Sequence, residues 1–475
     1  MKKLRVSLVV AILVLSSIFT GCGQKGGDAS NNVDNSAKKK FPGAVFLPEK
    51  GATIRVASPA GDRESGYAYQ LAKKFEEMYK EYDVKVEIVP DDGFQLEIDG
   101  PAGKAPDVFI VSNDKGNWYA GHLIMPIDPA IKAMDNNDIP KWGWDSFKYN
   151  DTYYGYPMTI QTTMLMYRKS LVPKEWKDEN GELAVKSWND LYAFNRGVKD
   201  GIYKDTSATH GIIYEVSNVY NSYGLLESYG SYLFKDGTDT SDLGFNIGDS
   251  YKGAKVMRDI AETMYDTHVT WETTNQIPGE MARGNFIGTL NTPNQIRNIV
   301  NQLVTQEVYS TEEEAYEDLG YMPLPVLPAD GDIKTPLQEG EVTIPTKSMG
   351  GTTGGLISSF TQYPNASRLY IIFAAQTENV IEKGIATSLT PIRNSAYEGM
   401  TQGTKAMFEQ TLDNKFIGMP TIPEMGQVWG PAQSVFNKFV DDHHDDSINF
   451  DLDDDIKAEL EKLSKDIKDA ITALE

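Results

Sequence analysis

One cysteine, Cys22, stands in a chain of 475 residues, directly after the only apolar run that approaches membrane-spanning length. A lone thiol forms no disulfide within the chain and builds no thiolate metal site, so the folded part must rest on packing alone. The length exceeds what one compact core holds and suffices for two lobes. The apolar run, Val6 to Phe19, sits at the extreme N-terminus, which excludes a polytopic membrane protein. The formal net charge is −23, from 68 acidic and 45 basic residues, and Lys2, Lys3 and Arg5 all fall in the first 21. Such a field repels phosphate backbones, so nucleic acid and polyanionic substrates are disfavoured.

Basic residues before an apolar stretch have the order of a secretory signal. The stretch closes with Phe19-Thr20-Gly21-Cys22. Small residues before a lone cysteine resemble a bacterial lipobox, with Phe19 where leucine is usual. That resemblance implies a signal peptide over residues 1–21, cleavage before Cys22, and lipidation of its sulfur. The expected location is therefore extracytoplasmic, on the outer face of the bacterial cell membrane. Gly, Ser, Asn, Asp and Lys dominate residues 23–40. Few of these can bury, so residues 22–50 read as a flexible tether.

The folded chain begins near Ala52. Thr53–Ala57 reads as a strand and Gly66–Lys80 as a helix, with Leu71, Phe75 and Met78 on one face. Val84, Val86 and Ile88 alternate with charged residues, as in a half-buried strand. Asp107–Val111 is a continuous apolar strand, the pattern of a buried parallel one. This alternation predicts an α/β lobe. A second set follows Met158. Trp188–Val198 and Tyr251–Tyr265 read as helices, and Phe286–Leu290 as a buried strand. Pro323, Pro325 and Pro328 suit a crossing between lobes. Ser367–Ala375 is helical. Ile456, Leu460, Leu463, Ile467, Ile471 and Leu474 fall at helical spacing and predict a final amphipathic helix.

No GxSxG, HExxH, Walker A or GxGxxG motif is present. Gly350, Gly351, Gly354 and Gly355 lack the Lys-Ser/Thr of a phosphate loop and read as a turn leading into a strand. His443 and His444 lie in an acidic run that reads as a solvated surface. Asp236–Asp242 lacks the terminal glutamate of a calcium loop and reads as a turn. A glycosidase pair could be drawn from the many carboxylates, but nothing singles one out.

Several segments, in order, resemble the extracellular sugar-binding subunits of ABC importers, and among them the maltose- and maltodextrin-binding proteins. Asp62-Arg63 stands eleven residues before Lys73-Lys74-Phe75-Glu76, as an Asp-Lys pair does in that family. Pro106-Asp107-Val-Phe-Ile, followed by Asn113-Asp114-Lys115, resembles the family's strand and sugar-gripping loop. Lys115 replaces an arginine there, which turns a forked contact into a point contact. Val111 stands where the family has tryptophan. Tyr153–Pro157 through Leu165–Leu171 resembles the family's hinge segment, with Gln161 at a glutamate position. Asn294 replaces a second tryptophan. Met419-Pro-Thr-Ile-Pro423-Glu-Met425-Gly-Gln-Val-Trp429 resembles the family's MPxIPxMxxxW stretch. Counting back from Tyr232-Leu-Phe-Lys puts Tyr220 at a stacking position and Asn218 at a polar one.

The resemblance implies an α/β, two-lobed periplasmic-binding-protein fold, with a hinge between lobes and the ligand cleft at their interface. The expected division places residues 51–159 and 324–376 in the N-terminal lobe, and 160–323 and 377–475 in the C-terminal lobe. It implies a non-enzymatic monomer that binds an oligosaccharide and delivers it to an ABC permease, with no cofactor and no metal. The implied ligand residues are Trp429, Asp62, Arg63, Asp114, Lys115, Gln161, Asn218 and Tyr220. Sugars need such a set. Aromatic faces bury the C–H side of a pyranose, while charged and amide groups bond its hydroxyls, the charge-assisted bonds being roughly twice as strong as neutral ones. Other readings of the same residues stay open: Asp114 as a helix cap, Asp62 and Arg63 as a surface ion pair, Trp429 as a packing residue. A different oligosaccharide, a non-sugar solute, or a surface glycosidase are the alternative functions.

Overall fold

The computed structural model describes residues 46–264, 276–443, 445 and 447–473. The expected signal peptide, Cys22, the tether up to residue 45, His444 and Leu474 lie outside the described residues.

The main strands, in chain order, are β1 (Thr53–Ser58), β2 (Lys85–Pro90), β3 (Val108–Ser112), β4 (Gly155–Thr162), β5 (Met164–Arg168), β6 (His210–Ile213), β7 (Phe286–Asn291), β8 (Leu319–Met322), β9 (Ser348–Ile357), β10 (Thr390–Pro391) and β11 (Phe416–Gly418). They form two sheets, one per lobe. The larger runs β10-β4-β9-β3-β1-β2, with β11 alongside β9; the smaller runs β8-β5-β7-β6.

Local sequence explains these elements. In β1, Ile54, Val56 and Ala57 are wholly buried. β3 is apolar from Val108 to Val111 because it lies inside the sheet, between β1 and β9. The helix Tyr67–Met78 starts after Gly66, whose φ of 79° needs no Cβ, and buries Leu71 and Phe75. Trp188–Lys199 opens with a reciprocal cap between Ser187 and Asp190. The last helix, Asp453–Thr472, buries Ile456, Leu460, Leu463, Ile467 and Ile471, as its spacing predicts. The second lobe's core gathers Trp188, Phe194, Tyr223, Phe245, Met257 and Phe436.

Among the described residues the chain passes between the two sheets twice, and a third passage leads from the larger sheet to a helix of the second core. Thr163 alone separates β4 from β5. There Thr162 Oγ1 lies 2.6 Å from Ser348 Oγ and 2.7 Å from the Met349 carbonyl oxygen, and the Thr163 N–H donates to Ser348 Oγ at 3.1 Å. The second passage runs from Met322 to Ser348. On it, Thr346 Oγ1 donates to the Pro325 carbonyl and accepts from Trp188 Nε1 at 2.9 Å. The third runs from Gly418 to the helix Trp429–Asp441, whose Ala432, Val435 and Phe436 join the second core. Two short strands beyond residue 376, β10 and β11, add to the larger sheet through β4 and β9. The four glycines at 350–355 lie inside β9 rather than in a turn before it.

The helix Val219–Ser228 packs closely on the entry to β9. A Cβ on Gly224 would stand 2.1 Å from the Lys347 carbonyl oxygen. Glycine to alanine in an open helix gains about 1 kcal/mol. Here the backbone contact reverses the sign: Gly224→Ala should destabilise by about 1–3 kcal/mol through overpacking, read as a lower urea midpoint.

Candidate functional site

Sheet register gathers the predicted residues. β1 and β3 are parallel neighbours, with Val56 opposite Val108. Their carboxyl ends therefore share one edge, where ligands of open α/β sheets bind. β9 runs antiparallel to β3, pairing Thr353 with Ser112, so Gly350–Thr352 lie at that edge. β4 runs antiparallel to β9, pairing Gln161 with Gly351, so Gln161 lies there too. Asp62 and Arg63 follow β1; Asn113, Asp114 and Lys115 follow β3. One sheet edge thus carries five of the eight predicted residues.

Tyr220 reaches this edge from the second lobe. Its hydroxyl donates to the Gln161 carbonyl at 3.0 Å and accepts from the Gly351 N–H at 2.9 Å. Burial pushes the phenol well above its ordinary pKa, so it stays protonated and can donate. Asn218 caps the helix that carries Tyr220: its Oδ1 accepts from the Asn221 N–H at 3.3 Å, and its amide donates to Glu215 at 3.3 Å. The structure therefore gives Asn218 a capping role one turn from the edge.

Asp114 stays half exposed, at 50% of its side-chain surface. Partial burial raises its pKa, but the Ser112 hydroxyl and Lys115 outweigh this and hold the carboxyl below its ordinary value. Lys115 Nζ lies 3.1 Å from Asp114 Oδ1 and 5.6 Å from the centre of the Trp118 ring. Lys115 occupies the cap position of the helix Gly116–Ala120, and no side chain caps that helix. The carboxylate is thus set as an acceptor beside a cation, a pairing suited to adjacent hydroxyls.

Asp62 is turned inward. It forms a buried ion pair with Lys383 at 2.8 Å, in which the side chains are 3% and 2% exposed. Its second oxygen is buried without a hydrogen-bond partner. Beside it is a cavity of about 10 Å³, lined also by Ser58, Tyr67, Ile110, Met158 and Tyr370. That space is at the lower bound for one water and far below a sugar ring. Arg63 is half-buried, and its Nε donates to the Ser58 carbonyl at 2.9 Å. The alternative reading of Asp62 and Arg63 as a surface ion pair gives way to the buried pair Asp62–Lys383. Sequence reading missed Lys383, because nothing local to residue 383 announces a partner on the first helix.

Trp429 opens the helix Trp429–Asp441 and is half-buried against the second core. Two large cavities lie elsewhere. One of about 1050 Å³ is lined by residues 126–153 alone, including Lys132, Trp144 and Tyr153. The other, about 740 Å³, lies between residues 141–151, 236–240 and 418–424. None of the eight predicted residues lines either one. Volume is a weaker guide than chemistry here: a site that closes needs gripping groups from both lobes.

The fold defines a class, that of two-lobed binding proteins. Residues 70–409 match the model of the bacterial extracellular solute-binding protein family, and the chain belongs to that family. Among its relatives is the maltodextrin-binding protein MdxE of Bacillus subtilis (strain 168), 27% identical over 433 residues, covering 89% of this chain and 90% of the relative. A maltooligosaccharide ABC transporter solute-binding lipoprotein of Streptococcus pneumoniae (strain ATCC BAA-255 / R6) is 23% identical, covering 91% and 92%. The solved maltose-binding periplasmic protein MalE of Listeria monocytogenes, in complex with maltose, shares the fold with a TM-score of 0.67 at 22% identity, covering 89% and 98%.

Breaking the buried pair separates its role from a surface one. Lys383→Met leaves an uncompensated carboxylate and should cost about 3–5 kcal/mol, whereas Asp62→Asn combined with Lys383→Met should recover most of the loss. Urea denaturation of the two variants measures this.

Proposed function

We propose that this protein captures an α-glucan oligosaccharide of the maltodextrin type, closes around it, and delivers it to an ABC permease without hydrolysing it. The observation that carries this reading is the shared sheet edge. It places a carboxylate, a lysine, a guanidinium and a neutral amide on one lobe, and meets them with a tyrosine from the other. The names of the relatives supply the sugar class.

In this reading Asp114 accepts from sugar hydroxyls, while Lys115 and Arg63 donate. The Gln161 amide does both. Trp429 stacks on a pyranose face, and the ring of Tyr220 offers a second apolar surface. Asn218 holds Tyr220 in place through its cap. Asp62, beside Arg63 on the short helix Ala60–Glu64, acts through its anchor on Lys383. Closure follows from differential contact, because each lobe holds groups that reach the ligand fully only when the lobes meet. The N-terminal lobe, expected over residues 51–159 and 324–376, runs on to the end of β4 at Thr162 and takes in the strands β10 and β11; the C-terminal lobe holds 163–323 and the rest of 377–475. The lipobox-like segment and the lipoprotein relative support an anchor at Cys22, on the outer face of the cell membrane. Two or three acyl chains there would hold the protein stably on the bilayer.

Isothermal titration over a panel of maltose, maltotriose, maltotetraose and unrelated oligosaccharides tests this reading. Saturable binding of the α-glucans is expected, and failure to bind any saccharide would falsify it. Trp429→Ala should weaken binding about tenfold or more, a loss on the order of 1.4 kcal/mol. Overnight incubation with α-glucan should release no reducing ends; their appearance would make the protein a glycosidase.

The acid limb of binding should follow Asp114. Its folded-state carboxyl is held below the ordinary value, so the anionic form persists through neutral pH and is lost as pH falls through that lowered pKa. Affinity should hold steady above the ordinary carboxylate range and fall below it. Asp114→Asn should flatten that limb in the same titration.

A further inference from the structure

The loop after β3 and the segment leading to Trp429 are locked together by two residues, Asn113 and Gly116, that flank the Asp114–Lys115 pair and are not among the proposed ligand residues. Asn113 is wholly buried at the end of β3. Its N–H donates to the Thr352 carbonyl at 2.9 Å, and its Oδ1 accepts from the Thr352 N–H at 3.1 Å. Its Nδ2 donates to the Met419 carbonyl at 3.3 Å. Met419 in turn donates its N–H to the Gly350 carbonyl at 3.2 Å. One side chain therefore ties the ligand loop, β9 and the third passage between lobes.

Gly116 makes the same junction by having no side chain. A Cβ there would stand 2.4 Å from the Thr421 carbonyl oxygen and 2.8 Å from the Pro423 nitrogen. These are backbone atoms, which cannot swing aside. From this junction to the indole the chain has little freedom. Met425 bonds back to Ile422 and Val428 to Met425, at 3.2 and 3.1 Å, and Met425 and Val428 are buried. A shift at residue 419 or 421 is thus carried to Trp429 rather than absorbed.

We propose that Asn113 and Gly116 are positioning residues that set the spacing between the hydroxyl-gripping pair Asp114–Lys115 and the stacking face of Trp429. The inference rests on the oligosaccharide reading above and deepens it: the span of sugar rings accepted is fixed at this junction, not at the contacting side chains alone.

The test is a double-mutant cycle read by isothermal titration with maltotetraose, using Asn113→Ala, Trp429→Ala and the double variant. Asn113→Ala alone should weaken binding about tenfold, while the double variant should be no more than about twofold weaker than Trp429→Ala, since both act through one contact. Asn113→Ala combined with Arg63→Ala, on the short helix Ala60–Glu64 after β1, should instead multiply the two losses. A residue that only stabilises the lobe would multiply in both cycles, and that result overturns the inference. If circular dichroism shows Asn113→Ala unfolded, Gly116→Ala takes its place in both cycles under the same criteria, and Asn113→Ser is the milder variant. Wild-type protein that binds no saccharide removes the oligosaccharide reading itself, and this inference with it. Multiplied losses in a wild type that does bind remove the inference alone.

Discussion

The strand β9 is the constraint on which the larger sheet depends. It lies between β3 and β4, antiparallel to both, and pairs with β11 at its start. Its neighbours press on it from both faces. A Cβ at Gly350 would meet the Phe416 ring at 2.1 Å, at Gly354 the Phe147 ring at 2.6 Å, and at Gly355 the Ile371 side chain at 2.7 Å. These glycines answer to space rather than to backbone angle, for none of the three has a positive φ. Large buried side chains from elsewhere fill the room they leave. The same strand brings Gly351 to the edge where Gln161 and Tyr220 meet.

That junction shows how a hydroxyl and a ring divide their work. The Tyr220 oxygen is committed to two backbone groups on adjacent strands, one accepting and one donating. Both strands lie in the first lobe, and the residue comes from the second. The bonds fix the ring's direction at little entropic cost, since a tyrosine has few torsions to lose. Asp114 and Lys115 sit nearby as a charged pair that water still reaches. Closure around a ligand would strip that water and strengthen each contact.

Much of this was legible in the residues. Apolar patterning located β1 and β3, which are buried on both faces, and the helix Tyr67–Met78 and the final helix, which each bury one clear face. The order of local motifs pointed to a two-lobed fold, and the sheet register brings Asp114, Lys115 and Gln161 to one edge. What stayed hidden was long-range pairing. Asp62 reads as an edge residue from its spacing, yet its partner Lys383 lies more than three hundred positions away and turns it inward. The glycines of β9 look like a turn because glycine usually marks one; only the rings opposite them explain a strand. Asn113 carries no signal beside Asp114, since its worth comes from Thr352 and Met419.

The single residue between β4 and β5, and the late arrival of β9, have a consequence for how the molecule is made. Ser112 must wait for Thr353 before the centre of its sheet exists, and Ile456 to Ile471 join the other half only after every other described element has been made. Neither hydrophobic interior can seal while the nascent chain is still short. Such non-local pairing slows folding, because distant segments must close large loops before any stabilisation returns. The wiring that joins the halves therefore also delays their assembly, leaving an interval in which apolar strands such as β3 are made but not yet covered.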